Sequence, residues 1–171
     1  VVIGCNIGKN STTAPEDAPH DYLRVFRNLY QYVDYFTVNV SYNTTFKQYV
    51  PRTEESIRSI LEPLFDFRRG QNQYRPILLK ISPDLPNESI DMMTDIMIDT
   101  PLDGIVATNS TTRPANLKTS PERLKRIGAG AVGGRPLTKR SIEIVRRIYK
   151  RSNGTYPIIG VGGIMTPEDA K

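Results

Sequence analysis

Five short apolar runs limit what this chain can fold into: residues 1–5, 36–40, 77–81, 104–108 and 157–161. Each is apolar at successive positions rather than alternate ones, as strands buried on both faces must be. Between them lie segments of helical period. Leu23, Phe26, Tyr30 and Val33 form one such face, with Asp17 or Asp21 as its cap. Ile57, Ile60, Leu61 and Leu64 form the next, beginning near Thr53; Ile90, Met93 and Met97 follow, capped around Asn87; Ile142, Val145, Ile148 and Tyr149 complete the set. Strand and helix in alternation predict an α/β protein with a parallel sheet.

Five strands are too few to close a barrel. The first run starts without a Met, and the last residues, Thr166-Pro167-Glu168-Asp169, read as the opening turn of a helix. The expectation is therefore a piece truncated at both ends, taken from an eight-stranded (β/α) barrel. An open doubly wound sheet is the rival. The first strand-to-helix turn carries no G-x-G-x-x-G fingerprint, which argues against the dinucleotide-binding form of that rival.

Composition excludes several classes. One cysteine and one histidine in 171 residues leave no disulfide framework and no Cys/His metal cage. No run approaches the roughly 18 apolar residues of a membrane-spanning helix, and no leader opens the chain, so it reads as soluble and intracellular. The net charge is +5, with basic pairs at Arg68-Arg69, Lys139-Arg140, Arg146-Arg147 and Lys150-Arg151. They are not interleaved with aromatics, so they read as solvated helix faces and not as a nucleic-acid surface. Cys5 is expected to fill core space, and His20, in a Pro-rich acidic loop, to be exposed and non-catalytic.

The chemistry is expected at the carboxyl ends of the strands, where α/β proteins bind ligands. All five runs end in suitable groups: Asn6; Asn39 with Ser41; Lys80; Thr108 with Asn109; and Gly162-Gly163. Buried polar groups left unpaired cost about 1–3 kcal/mol each, so such a set needs partners from the protein or from a ligand. Lys80 is the sharpest of them, an ammonium within an apolar strand. It either pairs with an acid such as Asp103, snorkels to the strand end, or faces an electron-rich ligand. Gly162-Gly163, followed by a helix start, suits phosphate binding, as does Gly133-Gly134 before Arg135-Pro136; each is also compatible with a plain tight turn. Residues 111–134 form a long loop, with a short helix expected near 121–125, and loops of this length are usually lids or binding loops.

Six motifs then occur in order: Asn6-Ile7-Gly8-Lys9-Asn10, Val38-Asn39-Val40-Ser41, Leu79-Lys80-Ile81-Ser82-Pro83-Asp84-Leu85, Ile105-Val106-Ala107-Thr108-Asn109, Gly134-Arg135-Pro136-Leu137 and Ile159-Gly160-Val161-Gly162-Gly163-Ile164. Together they resemble the dihydroorotate dehydrogenases, and more closely their quinone-reducing (class 2) branch. The resemblance covers almost the whole chain. It implies an FMN-binding (β/α) barrel of which residues 1–171 hold about strands three to seven, as one incomplete domain. It implies oxidation of dihydroorotate to orotate in pyrimidine biosynthesis, with electrons passed to quinone. By position, Asn6, Asn39, Lys80, Thr108, Gly134, Gly162 and Gly163 would contact FMN, and Asn39, Asn109 and Ser110 would bind dihydroorotate. Lys80 would stabilise charge on the reduced ring. Membrane contact would come only through the N-terminal region this piece lacks, placing the whole protein in the cytoplasm, peripheral on the inner face of the cell membrane; the fragment alone is expected to be inactive.

The match breaks after the second strand. The family pattern there is Asn-x-Ser-Ser/Cys-Pro-Asn-Thr, with the second Ser or the Cys as catalytic base. Aligned without a gap, Tyr42 takes the base position, Asn43 replaces Pro and Thr44 replaces the substrate-binding Asn. With a one-residue deletion, Ser41 is the base and Asn43 the substrate amide. A tyrosine can act as base only if its pKa of about 10 is lowered by its surroundings. Two competing readings remain beside the first: a related FMN barrel acting on another dihydropyrimidine or a tRNA uridine, and an inactive fragment.

Overall fold

The computed structural model describes residues 1–41, 53–114 and 117–170. Among them are five strands, β1 (Gly4–Ile7), β2 (Tyr35–Asn39), β3 (Ile77–Ile81), β4 (Gly104–Ala107) and β5 (Ile158–Gly160). All pair in parallel, and sheet order equals sequence order, β1-β2-β3-β4-β5. Strand order that never reverses leaves no topological switch point, so the doubly wound rival is set aside in favour of a barrel segment.

Helices α1 (Ala18–Leu29), α2 (Glu54–Arg69), α3 (Asn87–Asp99), α4 (Pro121–Ile127) and α5 (Thr138–Arg151) alternate with the strands, with short 3-10 turns at Pro15–Asp17, Arg135–Leu137 and Glu168–Ala170. One face of the sheet carries Phe36, Val38, Ile77, Leu79, Ile81, Ile105 and Ala107, which merge with the helix stripes into one core cluster. Phe26 of α1 packs 4.3 Å from Phe36 of β2, ring centre to ring centre, and meets Phe67 of α2 edge-on at 5.9 Å. These contacts fix both helices on β2.

The helix stripes follow the sequence reading in α2 and α3. Ile57, Ile60, Leu61 and Leu64 are buried, as are Ile90, Met93 and Met97. Thr53 caps α2 by accepting from the Ser56 N–H at 3.2 Å. Three expectations need correction. Neither acid caps α1: Asp17 makes no side-chain cap bond, and Asp21 lies inside the first turn with its carboxylate turned back to the preceding loop. No side-chain bond caps α3, where the sequence placed a cap at Asn87. The stripe of α5 is rotated from the expected one. Ile144 and Ile148 are buried, with Ser141 between sheet and helix, while Tyr149 is 60% exposed.

Arg68 is not on a solvated face either. It is buried, bonding Asp103 at 2.6 Å and the Pro101 carbonyl at 2.5 Å. Arg147 and Arg151 pair with Asp91 and Asp95 across α3 and α5. Cys5 packs against the core, and burial pushes its thiol pKa up.

Candidate active site

The second sheet face is the one not covered by helices, and its residues align in rows across the strands. Asn6, Thr37, Leu78 and Gly104 share one row; Asn39, Lys80, Val106 and Ile159 share the next, nearer the carboxyl ends. Period-two alternation forces this: Leu79 and Ile81 face the helices, so Lys80 must face the other way.

Lys80 is half-buried, and its ammonium has no hydrogen-bond or ion-pair partner among the described residues. The acid considered for it, Asp103, is taken. It accepts from Arg68, from the Tyr74 hydroxyl and from the Ile77 N–H, at the amino end of the sheet. The salt-bridge alternative therefore fails on placement. A strand has two ends, and Asp103 lies at the other one.

Asn39 begins a chain of polar contacts. Its Oδ1 accepts from the Ser41 N–H at 3.2 Å and from the Ser41 hydroxyl. Asn109 Nδ2 donates to Ser41 Oγ at 2.6 Å. This assembles three residues chosen from sequence, from two non-adjacent strand ends. The Asn39 carbonyl accepts from the Tyr22 hydroxyl at 2.8 Å. Asn39 Nδ2 and the Asn6 amide, like Lys80 Nζ, find no acceptor among the described residues. The site thus presents a surplus of donors, suited to a ligand rich in acceptor oxygens and nitrogens.

Thr108 is buried with its hydroxyl bonded inside the protein, to the Asn109 carbonyl at 3.0 Å and near Ser141 Oγ at 3.4 Å. Its side chain joins β4 to α5 rather than pointing at open space. Ser110 is half-buried beside Asn109. Tyr42, Asn43 and Thr44 lie outside the described residues.

At the far end of the sheet, Gly162 and Gly163 adopt φ of 117° and 77°. A Cβ on Gly163 would lie 2.4 Å from Thr138 N, so the β5 turn sits directly on the first residue of α5. Thr138 Oγ1 donates to the Gly163 carbonyl at 2.6 Å. The Gly163 N–H has no acceptor among the described residues, although the residue is buried. Gly134, with φ of 78°, has open space where a Cβ would stand. These are features of an anion cradle.

The sequence model of the family described as dihydroorotate dehydrogenase matches residues 1–171. The chain belongs to the dihydroorotate dehydrogenase family. It is 41% identical over 170 residues to the dihydroorotate dehydrogenase (quinone) of Christiangramia forsetii, covering 99% of this chain and 49% of that protein. It is 44% identical to the dihydroorotate dehydrogenase (quinone) of Trichodesmium erythraeum, covering 98% of this chain and 44% of that protein. The crystal structure of DHODH in complex with ferulenol from Eimeria tenella superposes with a TM-score of 0.86 at 29% identity, covering 99% of this chain and 48% of that one. The chain thus spans about half the length of the relatives it matches, and its five-stranded sheet is part of their barrel.

Sequence reasoning missed four residues that surround these strand ends. Tyr22 is wholly buried and signalled by its i, i+4, i+8 spacing with Phe26 and Tyr30. Lys9 is buried, with Nζ bonded to the Asn10 carbonyl at 2.8 Å and to the Thr13 carbonyl. Asp21 accepts from the Asn10 N–H at 2.7 Å and from the Thr13 hydroxyl at 3.0 Å. Those bonds hold its carboxyl below the usual range, the Asn10 N–H contributing most, with Arg24 and Lys9 adding favourable charge. Asp84 accepts from the Thr111 hydroxyl and from both the N–H and hydroxyl of Thr112, tying the loop after β4 to the loop after β3. Nothing in the sequence pattern marks Asp84 as the partner of that loop, because the contact joins residues 27 apart.

Proposed function

We propose that the intact protein oxidises dihydroorotate to orotate in de novo pyrimidine biosynthesis, using FMN and passing the electrons to a quinone. Residues 1–171 then form one incomplete FMN-binding barrel domain. The observation that carries this reading is the Asn39–Lys80 register pair, two unpartnered donors side by side at the carboxyl ends of β2 and β3. The named quinone-type relatives support the choice of acceptor.

The donor set fits FMN. Asn6, Asn39 Nδ2 and Lys80 Nζ match the acceptor-rich pyrimidine end of an isoalloxazine ring, and the turns at Gly134 and Gly163 suit its phosphate. When bound, FMN supplies the two-electron acceptor for the hydride leaving C6 of the substrate. Lys80 holds a positive charge in a half-buried place, which favours negative charge gathering on a ring beside it. Asn39 and Asn109 orient the substrate and, with Ser110, Asn43 and Thr44, complete its binding set. Ser41 or Tyr42 supplies the base for the C5 proton. In the case of Ser41, Asn109 donating to Oγ lowers the cost of negative charge on that oxygen, the form in which it accepts a proton.

A quinone acceptor places the whole protein at a membrane surface, on its cytoplasmic side. No helix among the described residues is long and apolar enough to cross a membrane. The test is the purified intact protein. Flavin absorption and orotate formation with a quinone, but not with fumarate or NAD, are expected. A colourless protein, or faster turnover of a tRNA uridine or another dihydropyrimidine, overturns the reading.

A further inference from the structure

We infer that Tyr22 is a positioning residue of this site, its hydroxyl setting the peptide from which Asn39 and Ser41 hang. The inference rests on the functional reading above. The Tyr22 ring is wholly buried in the first turns of α1, yet its hydroxyl reaches the Asn39 carbonyl at 2.8 Å. That carbonyl lies where strand pairing stops. The β1–β2 register ends at Ile7 with Val38, and Gly8 only approaches, since a Cβ there would stand 3.9 Å from the Asn39 oxygen. Tyr22 supplies the donor on that side, beyond the end of the ladder.

The same helical turn is tied to the loop after β1. Asp21 holds the Asn10 N–H and the Thr13 hydroxyl, and Lys9 closes on the Asn10 and Thr13 carbonyls. One turn of α1 therefore sets two strand ends at once, that of Asn6 and that of Asn39. Ser41 is bonded to the Asn39 side chain through both its N–H and its hydroxyl, so rotation of the Asn39 peptide carries the Ser41 and Asn109 contacts with it.

Tyr30 is a matched control. It lies just past the same helix, is also buried, and donates to a carbonyl at the same 2.8 Å, that of Gln73. Gln73 precedes β3, at the amino end of the sheet. Tyr22→Phe and Tyr30→Phe each remove one buried hydroxyl and its hydrogen bond to a backbone carbonyl, worth about a 5- to 10-fold change where it acts.

In the intact protein, apoprotein titrated with FMN and holoprotein titrated with orotate are expected to bind about 5- to 10-fold more weakly in Tyr22→Phe. Tyr30→Phe is expected to lower the melting temperature similarly but leave both affinities within about twofold. Equal effects on affinity in the two variants, or none in Tyr22→Phe, overturn the inference. If the unsubstituted protein holds FMN but forms no orotate, the functional reading fails while the FMN comparison still decides this one. If it holds no FMN, amide hydrogen exchange at residues 37–41 decides: it should be faster in Tyr22→Phe than in Tyr30→Phe, and equal rates overturn the inference. Should Tyr22→Phe not fold, Asp21→Asn takes its place with the same expected weakening of FMN binding, and unchanged binding overturns the inference.

Discussion

Asn39 and Lys80 stand opposite each other in the register of β2 and β3, and they differ in one respect. The Asn39 oxygen is engaged by Ser41, whereas the Lys80 ammonium engages nothing among the described residues. Packing therefore orients the first, and only the strand's alternation orients the second.

From this pair follows the behaviour of Lys80→Met. No protein bond is lost, so the melting temperature should stay within a degree or two or rise slightly, since an unpaired charge is costly to bury. The rate of flavin reduction by dihydroorotate should fall about 100-fold, the usual scale for a removed charge-stabilising group. Stopped-flow reduction of the variant checks this, and a loss below about threefold rejects the charge-stabilising role.

Ser41 and Tyr42 are the two candidates for the base. Ser41→Ala removes the oxygen that links Asn39 to Asn109. It should cost more turnover than Tyr42→Phe. Steady-state rates of the two variants across pH decide the order, and a larger loss in Tyr42→Phe reassigns the base to the tyrosine.

The two glycine turns should respond unequally to alanine. In Gly134→Ala only the positive φ of 78° opposes the change, because no atom lies within 4 Å of the new Cβ. The cost is about 1–3 kcal/mol, because with ψ of -154° the residue lies in a region that essentially only glycine adopts. In Gly163→Ala the Cβ would stand 2.4 Å from Thr138 N, so the β5 turn must leave the start of α5. Gly163→Ala should lose FMN binding and melt several degrees below Gly134→Ala. Equal melting points of the two variants would show that the contact yields without cost.

Acid stability should depend on Asp21. Its folded-state pKa is depressed, chiefly by the Asn10 N–H. A depressed carboxylate contributes stability above its unfolded value of about 3.9 and loses it as pH falls through the folded value. Asp91 is depressed in the same direction by Arg147. Asp21→Asn should therefore lower stability at neutral pH and flatten its decline below about pH 4. Denaturant melts between neutral and acid pH measure both slopes, and parallel curves would remove Asp21 from the account.

Much of the architecture was legible without coordinates. Apolar runs without alternation forced a buried parallel sheet, and the stripes of α2 and α3 placed Ile57, Leu61, Ile90 and Met93 in the core as found. These are short-range patterns, dictated by the 3.6 and 2.0 periods of helix and strand. The α5 stripe failed because Ile142 and Ile144 both fit a helical face, and only the packed sheet selects between them.

The amino-acid order alone thus determined which residues stand at the strand ends and which family their motifs resemble. Tertiary structure alone decided how they act together: Ser41 between Asn39 and Asn109, Asp103 claimed by Arg68, and Tyr22 on the Asn39 carbonyl. The reason is physical. Periodicity is a property of consecutive residues, but a hydrogen bond between residues 68 apart, as between Asn109 and Ser41, exists only once the sheet register has brought the two strand ends together.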